Sequence, residues 1–188
     1  MNILYIHGLG GSGHGKISES LKSFGTVIAP SLKFAPKDNI EYLLGMVRTG
    51  TVDLIVGNSL GGLYARYLHA VTGIDTVCIN PVSHRQCFDQ SLGENTYFDT
   101  GEKFTIDMID VLDIGDIINL SRMSETEFSH PETLQVFLSE CDDVVDPEII
   151  KKDKYICNKY IIPGAGHRLL QEQIDEIFRI FFSTERIV

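Results

Sequence analysis

The sequence predicts an α/β fold, a three-layer sandwich with helices on both faces of a mostly parallel sheet. Three observations predict it. Short apolar runs rich in β-branched residues alternate with segments whose apolar positions recur every three or four residues. Such alternation builds βαβ units, whose crossovers join parallel strands. Midway, Val52-Asp53-Leu54-Ile55-Val56 runs into Gly57-Asn58-Ser59-Leu60-Gly61 and then straight into helical spacing at Leu60, Leu63, Tyr64, Tyr67 and Leu68. Finally, residues 171–182 place Ile174, Ile177, Phe178, Phe181 and Phe182 on one helical face, a stripe that needs a sheet to cover.

In order, residues 2–6 read as a first strand, followed by the glycine-rich His7-Gly8-Leu9-Gly10-Gly11-Ser12-Gly13-His14-Gly15-Lys16. Residues 16–24 fit a helix and 26–30 a second strand, ended by Pro30. Asp38 can N-cap a helix to about Arg48, with Ile40, Leu43, Leu44 and Val47 inward. Strand 52–56 and helix 60–71 flank the central turn, and strand 75–80 halts at Pro81. Residues 81–131 are polar and acidic, without a strong strand signal. Within them, residues 104–120 suggest a helix broken near Gly115. Fifty residues are too many for a plain loop, so this stretch is expected to be a helical lid or cap. The alternative is an ordinary crossover helix with long loops. Strand signals resume at 133–138 and 160–162, and helix 171–182 closes the chain. No repeat or low-complexity segment interrupts the pattern.

A chain of 188 residues suits one domain, 1–188, able to bury roughly 70% of its unfolded surface. Hydrophobic content of 43% and a mean hydropathy of +0.03 describe a soluble globular protein. The net charge of −10 argues against nucleic acid or an anionic membrane as partner, and against highly anionic substrates unless a local basic patch intervenes. No basic segment leads into an apolar stretch at the N-terminus, and no apolar run approaches the ~20 residues of a membrane span. The expectation is a cytoplasmic protein without stable membrane insertion. Cys78, Cys87, Cys141 and Cys157 have no zinc-type spacing, so thiols are expected and no metal is implied. The pattern fixes no oligomeric state.

Gly57-x-Ser59-x-Gly61 is the spacing of a nucleophile elbow. A strand reversing into a helix within about one residue forces the apex to φ > 0. Glycines two residues either side remove Cβ atoms that would collide. Ser59 then stands at a helix N-terminus, where negative charge is favoured. Alternatively, the glycines serve an ordinary turn and Ser59 is a helix N-cap. His7-Gly8 before a glycine-rich turn can aim a backbone N–H at an acyl oxygen, with Leu9 N–H paired to Leu60 N–H as oxyanion donors. The same loop is nearly a phosphate-binding loop from Gly10 to Lys16, but Ile17 stands where a Mg²⁺-binding hydroxyl is needed.

A neutral serine needs a base. His167 alone among six histidines sits on a glycine-rich loop after a late strand. A carboxylate must fix the imidazole tautomer, and the loop after Leu138 offers Asp142, Asp143 and Asp146. The order Ser…Asp…His is the one used on α/β-hydrolase sheets.

These residues give the chain a resemblance to the α/β-hydrolase superfamily, and its details resemble the small bacterial YqiA-type esterases. The likeness runs through His7-Gly8, Gly57 to Gly62, Ile79-Asn80-Pro81, Leu92-Gly93-Glu94-Asn95, Thr100-Gly101-Glu102 and the acidic loop Asp142 to Asp146. It agrees with a three-layer α/β-hydrolase-like sandwich, to which the length of 81–131 adds a short helical lid. It also implies hydrolysis of small-molecule acyl esters or thioesters without a cofactor, and points to Asp142 as the acid partner of Ser59 and His167. Two departures stand out: Cys141 replaces a usual glycine, and the oxyanion loop carries an unusual run of glycines. A peptidase or amidase with the same three residues, and a catalytically silent binding protein, remain alternative readings.

Overall fold

The computed structural model of the protein describes residues 1–128, 133–153, 156 and 158–183, with backbone alone at 123–128. A central sheet is formed by β1 (Asn2–Ile6), β2 (Thr26–Ile28), β3 (Leu54–Asn58), β4 (Asp75–Ile79), β7 (Leu134–Ser139) and β8 (Asn158–Ile162). Its strand order is β2-β1-β3-β4-β7-β8, and every neighbouring pair is parallel. A separate two-stranded sheet pairs β5 (Gly93–Thr96) antiparallel with β6 (Lys103–Ile106).

Strand alternation builds the layers. Ile3, Tyr5, Leu54, Val56, Val77, Ile79 and Phe137 point to one face, where α1 (Lys16–Leu21) and α6 (Gln171–Ser183) cover them with Leu21, Ile174, Ile177 and Phe178. Leu4, Ile6, Ile55, Cys78, Val136 and Leu138 point to the other, under α2 (Pro36–Val47), α3 (Leu60–Thr72) and α4 (Met108–Phe128). The strands are thus apolar on both sides, as a sheet buried between helix layers requires. Phe24 stacks on Phe182 of α6 with ring centroids 4.0 Å apart, fastening the last turn of α6 to the turn after α1.

Several boundaries differ from the sequence expectation. The elbow strand spans Leu54–Asn58, two residues later than 52–56, because Gly57 and Asn58 pair with Cys78 and Ile79. The first helix ends at Leu21 and the second strand at Ile28. Helix α2 starts at Pro36, whose fixed φ and missing N–H suit a first turn, so Asp38 lies inside that turn and is not the N-cap. Helix α4 runs unbroken through Gly115. A mid-helix glycine costs about 1 kcal/mol, which the burial of Val111, Ile114, Ile117 and Ile118 outweighs.

Within 81–131, α4 packs along α3 and carries the crossover from β4 to β7. The preceding part holds a 3-10 helix, Arg85–Ser91, and the β5–β6 hairpin. Tyr97, at the end of β5, packs on Phe104 with ring centroids 4.4 Å apart, and its hydroxyl accepts the Phe34 N–H at 2.6 Å. A short helix α5 (Pro147–Lys151) follows β7, N-capped by Asp146, whose carboxylate accepts Glu148 N–H at 2.9 Å. Cys87 and Cys141 are free thiols, and the buried Cys78 thiol donates to Gly62 O at 3.4 Å; Cys157, His130 and Pro131 lie outside the described residues. Among the described residues, no helix is long and apolar enough to cross a membrane.

Candidate active site

Parallel strands bring the loops after β1, β3, β7 and β8 to one edge of the sheet, where α/β folds place their sites. Ser59 is the apex between β3 and α3, at φ 57° and ψ −117°. The reason for its flanking glycines is measurable. A Cβ on Gly57 would lie 2.2 Å from the Gly61 carbonyl oxygen and 2.6 Å from the Ala65 Cβ. One on Gly61 would lie 2.1 Å from the Ile6 carbonyl oxygen. The left-handed apex is held from both sides: Ser59 N–H donates to Ile79 O at 2.9 Å, and Ser59 O accepts Val82 N–H at 3.1 Å.

His167 and Asp142 reach Ser59 from the loops after β8 and β7. Backbone bonds tie those loops together: Glu140 N–H donates to Ile162 O at 3.1 Å, and Cys141 N–H to Ala165 O at 2.8 Å. The Asp142 carboxylate lies 2.8 and 3.0 Å from His167 Nδ1. It also accepts the N–H groups of Val144 and Val145, each at 2.8 Å. Burial alone would raise the Asp142 carboxyl, but the bond from His167 and those two backbone donors hold it below the usual carboxylate range. An ionised carboxylate only accepts, so Nδ1 carries the proton and Nε2 is left to accept the Ser59 hydroxyl, 3.0 Å away. The Asp142 side chain is almost fully buried. Asp143 is exposed, and Asp146 is engaged as the α5 cap. The structure therefore brings Ser59, His167 and Asp142 together, and neither other aspartate bonds His167 among the described residues.

Leu9 and Leu60 line the same cavity as Ser59 and His167. Neither backbone N–H has a hydrogen-bond partner among the described residues, leaving both available to a ligand oxygen. The cavity measures about 740 Å³, within the range of small-molecule sites. Cys87, Phe88 and Phe98, all from the segment before α4, form part of its wall.

Two supports were not visible in the sequence. His7 Nε2 accepts Leu32 N–H at 2.8 Å, so its Nδ1–H donates to Gly8 O at 2.7 Å. The buried ring thus braces the loop that carries Leu9. Burial pushes its pKa down, against the opposing effects of the Gly8 carbonyl and the Asp99 charge. Asn80, at φ 44°, is the other non-glycine residue with positive φ besides Ser59 among those described. A strand stopped at proline predicted a turn there, but nothing in the pattern announced its bonds to β7. Among the described residues, no cluster of three His, Cys, Asp or Glu side chains could hold a metal ion.

The structure is similar to solved structures of low sequence identity. The monoacylglycerol lipase of Paleococcus ferrophilus matches with a TM-score of 0.72 at 15% identity, over 97% of this chain and 93% of that one. The esterase domain of a Rhodothermus marinus protein matches at 0.66 and 16%, over 98% and 86%. An alpha/beta hydrolase enzyme from the sediment metagenome of the Mar Chica lagoon, Morocco, matches at 0.59 and 18%, over 98% and 90%. The fold is that of the α/β-hydrolases. Residues 2–181 match the Uncharacterised protein family (UPF0227), and with that match across nearly its whole length the chain belongs to this family.

Proposed function

We propose that the protein is a serine hydrolase that cleaves carboxylic esters or thioesters of acyl chains through an acyl-enzyme. The observation that carries this reading is the unbroken hydrogen-bond chain from Asp142 through His167 to Ser59, ending in an open cavity. Asp142 holds the imidazole in the tautomer that accepts at Nε2. His167 Nε2 takes the Ser59 proton as Oγ attacks the acyl carbonyl. The Leu9 and Leu60 N–H groups hold the oxyanion of the tetrahedral intermediate. Collapse expels the alcohol or thiol, which leaves with the proton from His167. Water, deprotonated by the same imidazole, then releases the acid and restores Ser59. No step calls on a cofactor. Within the expected lid segment, residues 85–98 act in this reading as the lid, since Cys87, Phe88 and Phe98 wall the space beside Ser59, while α4 serves as the crossover helix.

A fluorophosphonate probe tests the reading on wild type beside Ser59→Ala and His167→Ala. Wild type should label, with both variants silent, and Ser59→Ala should lose on the order of 10⁶ in kcat on short-chain esters. Failure of wild type to label, or hydrolysis retained by clean Ser59→Ala protein, would overturn it. An ester, thioester and amide panel with one acyl group then separates an esterase from an amidase.

A further inference from the structure

The glycine-rich loop before α1 leads into Lys16, which has no ion-pair partner among the described residues, and the loop opens into the same cavity as Ser59. Lys16, His14 and Arg168 all line that cavity, and all three are exposed at its solvent edge. This is unusual placement in a chain of net charge −10. Seven of the sixteen lysine and arginine side chains face a carboxylate among the described residues: Lys22 with Glu19, Lys33 with Glu102, Lys37 with Asp113, Lys103 with Glu94, Lys151 with Glu148, Arg66 with Asp153 and Arg179 with Glu176. Lys16 and Arg168 have no carboxylate partner among the described residues. Arg168 is steadied by its guanidinium 5.3 Å from the Phe98 ring centroid.

The loop's shape is set close by. A Cβ on Gly13 would come within 1.9 Å of the Ala29 carbonyl oxygen, and Gly13 N–H donates to Ser31 Oγ at 3.2 Å. The loop is thereby pressed on the end of β2, and Lys16 follows three residues on. Asp99 is the acidic side chain among the described lining residues, and it faces His7 and Lys33. The remaining lining charge is positive and converges on one cavity with the nucleophile.

We propose that Lys16, His14 and Arg168 form an anion subsite in the Ser59 cavity, taking a phosphate or carboxylate borne by the acyl ester or thioester substrate away from the scissile bond. It rests on the hydrolase reading and sharpens it to acyl compounds with an anionic group. The near-match to a phosphate-binding loop then has a physical basis. Lys16 keeps the cationic role while Ile17, buried in the core, rules out a metal-binding hydroxyl at that position. Local positive charge in a low-dielectric cleft also offsets the repulsion an anion meets from the acidic surface.

Two substrate pairs test it and separate the sources of the charge. 4-Nitrophenyl butyrate against mono-4-nitrophenyl glutarate places a carboxylate on the acyl side. 1-Butyrylglycerol against 1-butyrylglycerol 3-phosphate places a phosphate on the leaving group. In at least one pair the anionic member should have the higher kcat/KM by about tenfold at low salt. Salt should erode that ratio, and Lys16→Ala/Arg168→Ala should bring it to about one. Using the ratio within each variant cancels any general loss of activity. A wild-type ratio near one in both pairs, or a ratio the double variant leaves unchanged, overturns the subsite while leaving the hydrolase reading intact. Calorimetry with glycerol 3-phosphate gives the converse: salt-sensitive binding lost in the double variant, without hydrolysis of any substrate, supports the subsite and removes the hydrolase reading. Neither hydrolysis nor binding overturns both.

Discussion

Asn80 and Ser139 bond each other twice across the ends of β4 and β7: Ser139 N–H donates to Asn80 Oδ1 at 2.7 Å, and Asn80 Nδ2 donates to Ser139 Oγ at 2.8 Å. Both residues are buried. Asn80 follows Ile79, whose carbonyl holds the Ser59 N–H, and Ser139 begins the loop to Asp142. One amide therefore ties the turn that carries Ser59 to the strand end that leads to Asp142. Asn80→Ala leaves a buried N–H and hydroxyl unmatched, at a cost of about 1–3 kcal/mol, and adds the strain of a left-handed alanine. Asn80→Gly removes the same bonds without that strain. Asn80→Gly should be the more stable variant, yet both should label slowly with fluorophosphonate. Wild-type labelling rates in Asn80→Gly would show that the bond pair only stabilises the fold.

The acid loop offers three aspartates and a graded experiment. Asp142→Asn should lower kcat by about 10⁴, because an amide no longer dictates the His167 tautomer. Asp143→Asn should stay near wild type. Asp146→Asn should lose some stability at the α5 cap, a few tenths to 1 kcal/mol, with little loss of rate. Equal losses in all three would remove Asp142 from its assigned place. The folded Asp142 pKa lies below its unfolded value, so its contribution is full above about pH 3.9 and fades as pH falls through the depressed value. The stability gap between wild type and Asp142→Asn should accordingly close in acid, as denaturation at stepped pH would read.

His7 gives a pH signature with a different window. Its folded pKa lies below the unfolded value near 6.5, so the unfolded chain takes up the proton first. Stability is then full above that pH and declines as pH falls toward the folded value. His7→Ala should be less stable at neutral pH, with Leu32 N–H left without its acceptor. Its denaturation midpoint should change less between about pH 7 and 5. Parallel slopes for the two proteins would refute the neutral, bracing role.

Arg66 on α3 and Asp153 after α5 form an ion pair at 2.7 Å, with both side chains almost wholly buried. Removing one member leaves a buried charge. Asp153→Asn should cost about 3–5 kcal/mol and lower Tm by roughly 10 °C or more. A Tm within a degree or two of wild type would contradict it.

Much of this protein could be read along the chain because the relevant forces are local. Strand period, helical spacing and the glycines around Ser59 report backbone sterics and the face each side chain must bury. They placed the six sheet strands to within a few residues, and they nominated Ser59, His167, Leu9 and Leu60 by position. Asp142 stood out from Asp143 and Asp146 through family resemblance; in space, the difference is that Asp142 turns inward to His167 while Asp146 turns to cap α5.

What the tertiary structure alone decided depends on groups far apart in sequence. In the β5–β6 hairpin, β5 carries no apolar side chain and β6 only Phe104 and Ile106, an alternation too short to mark a strand; Tyr97 and Phe104 hold it by packing with Phe34. Gly115 read as a break because propensity is local, and α4 continues because its neighbour α3 is not. His7 with Leu32 and Asn80 with Ser139 are likewise pairings of distant segments, and Lys16 and Arg168 line one cavity from opposite ends of the chain. Sequence pattern encodes which face a residue must hide. Which partner waits on that face is settled only when the sheet brings its loops to one edge.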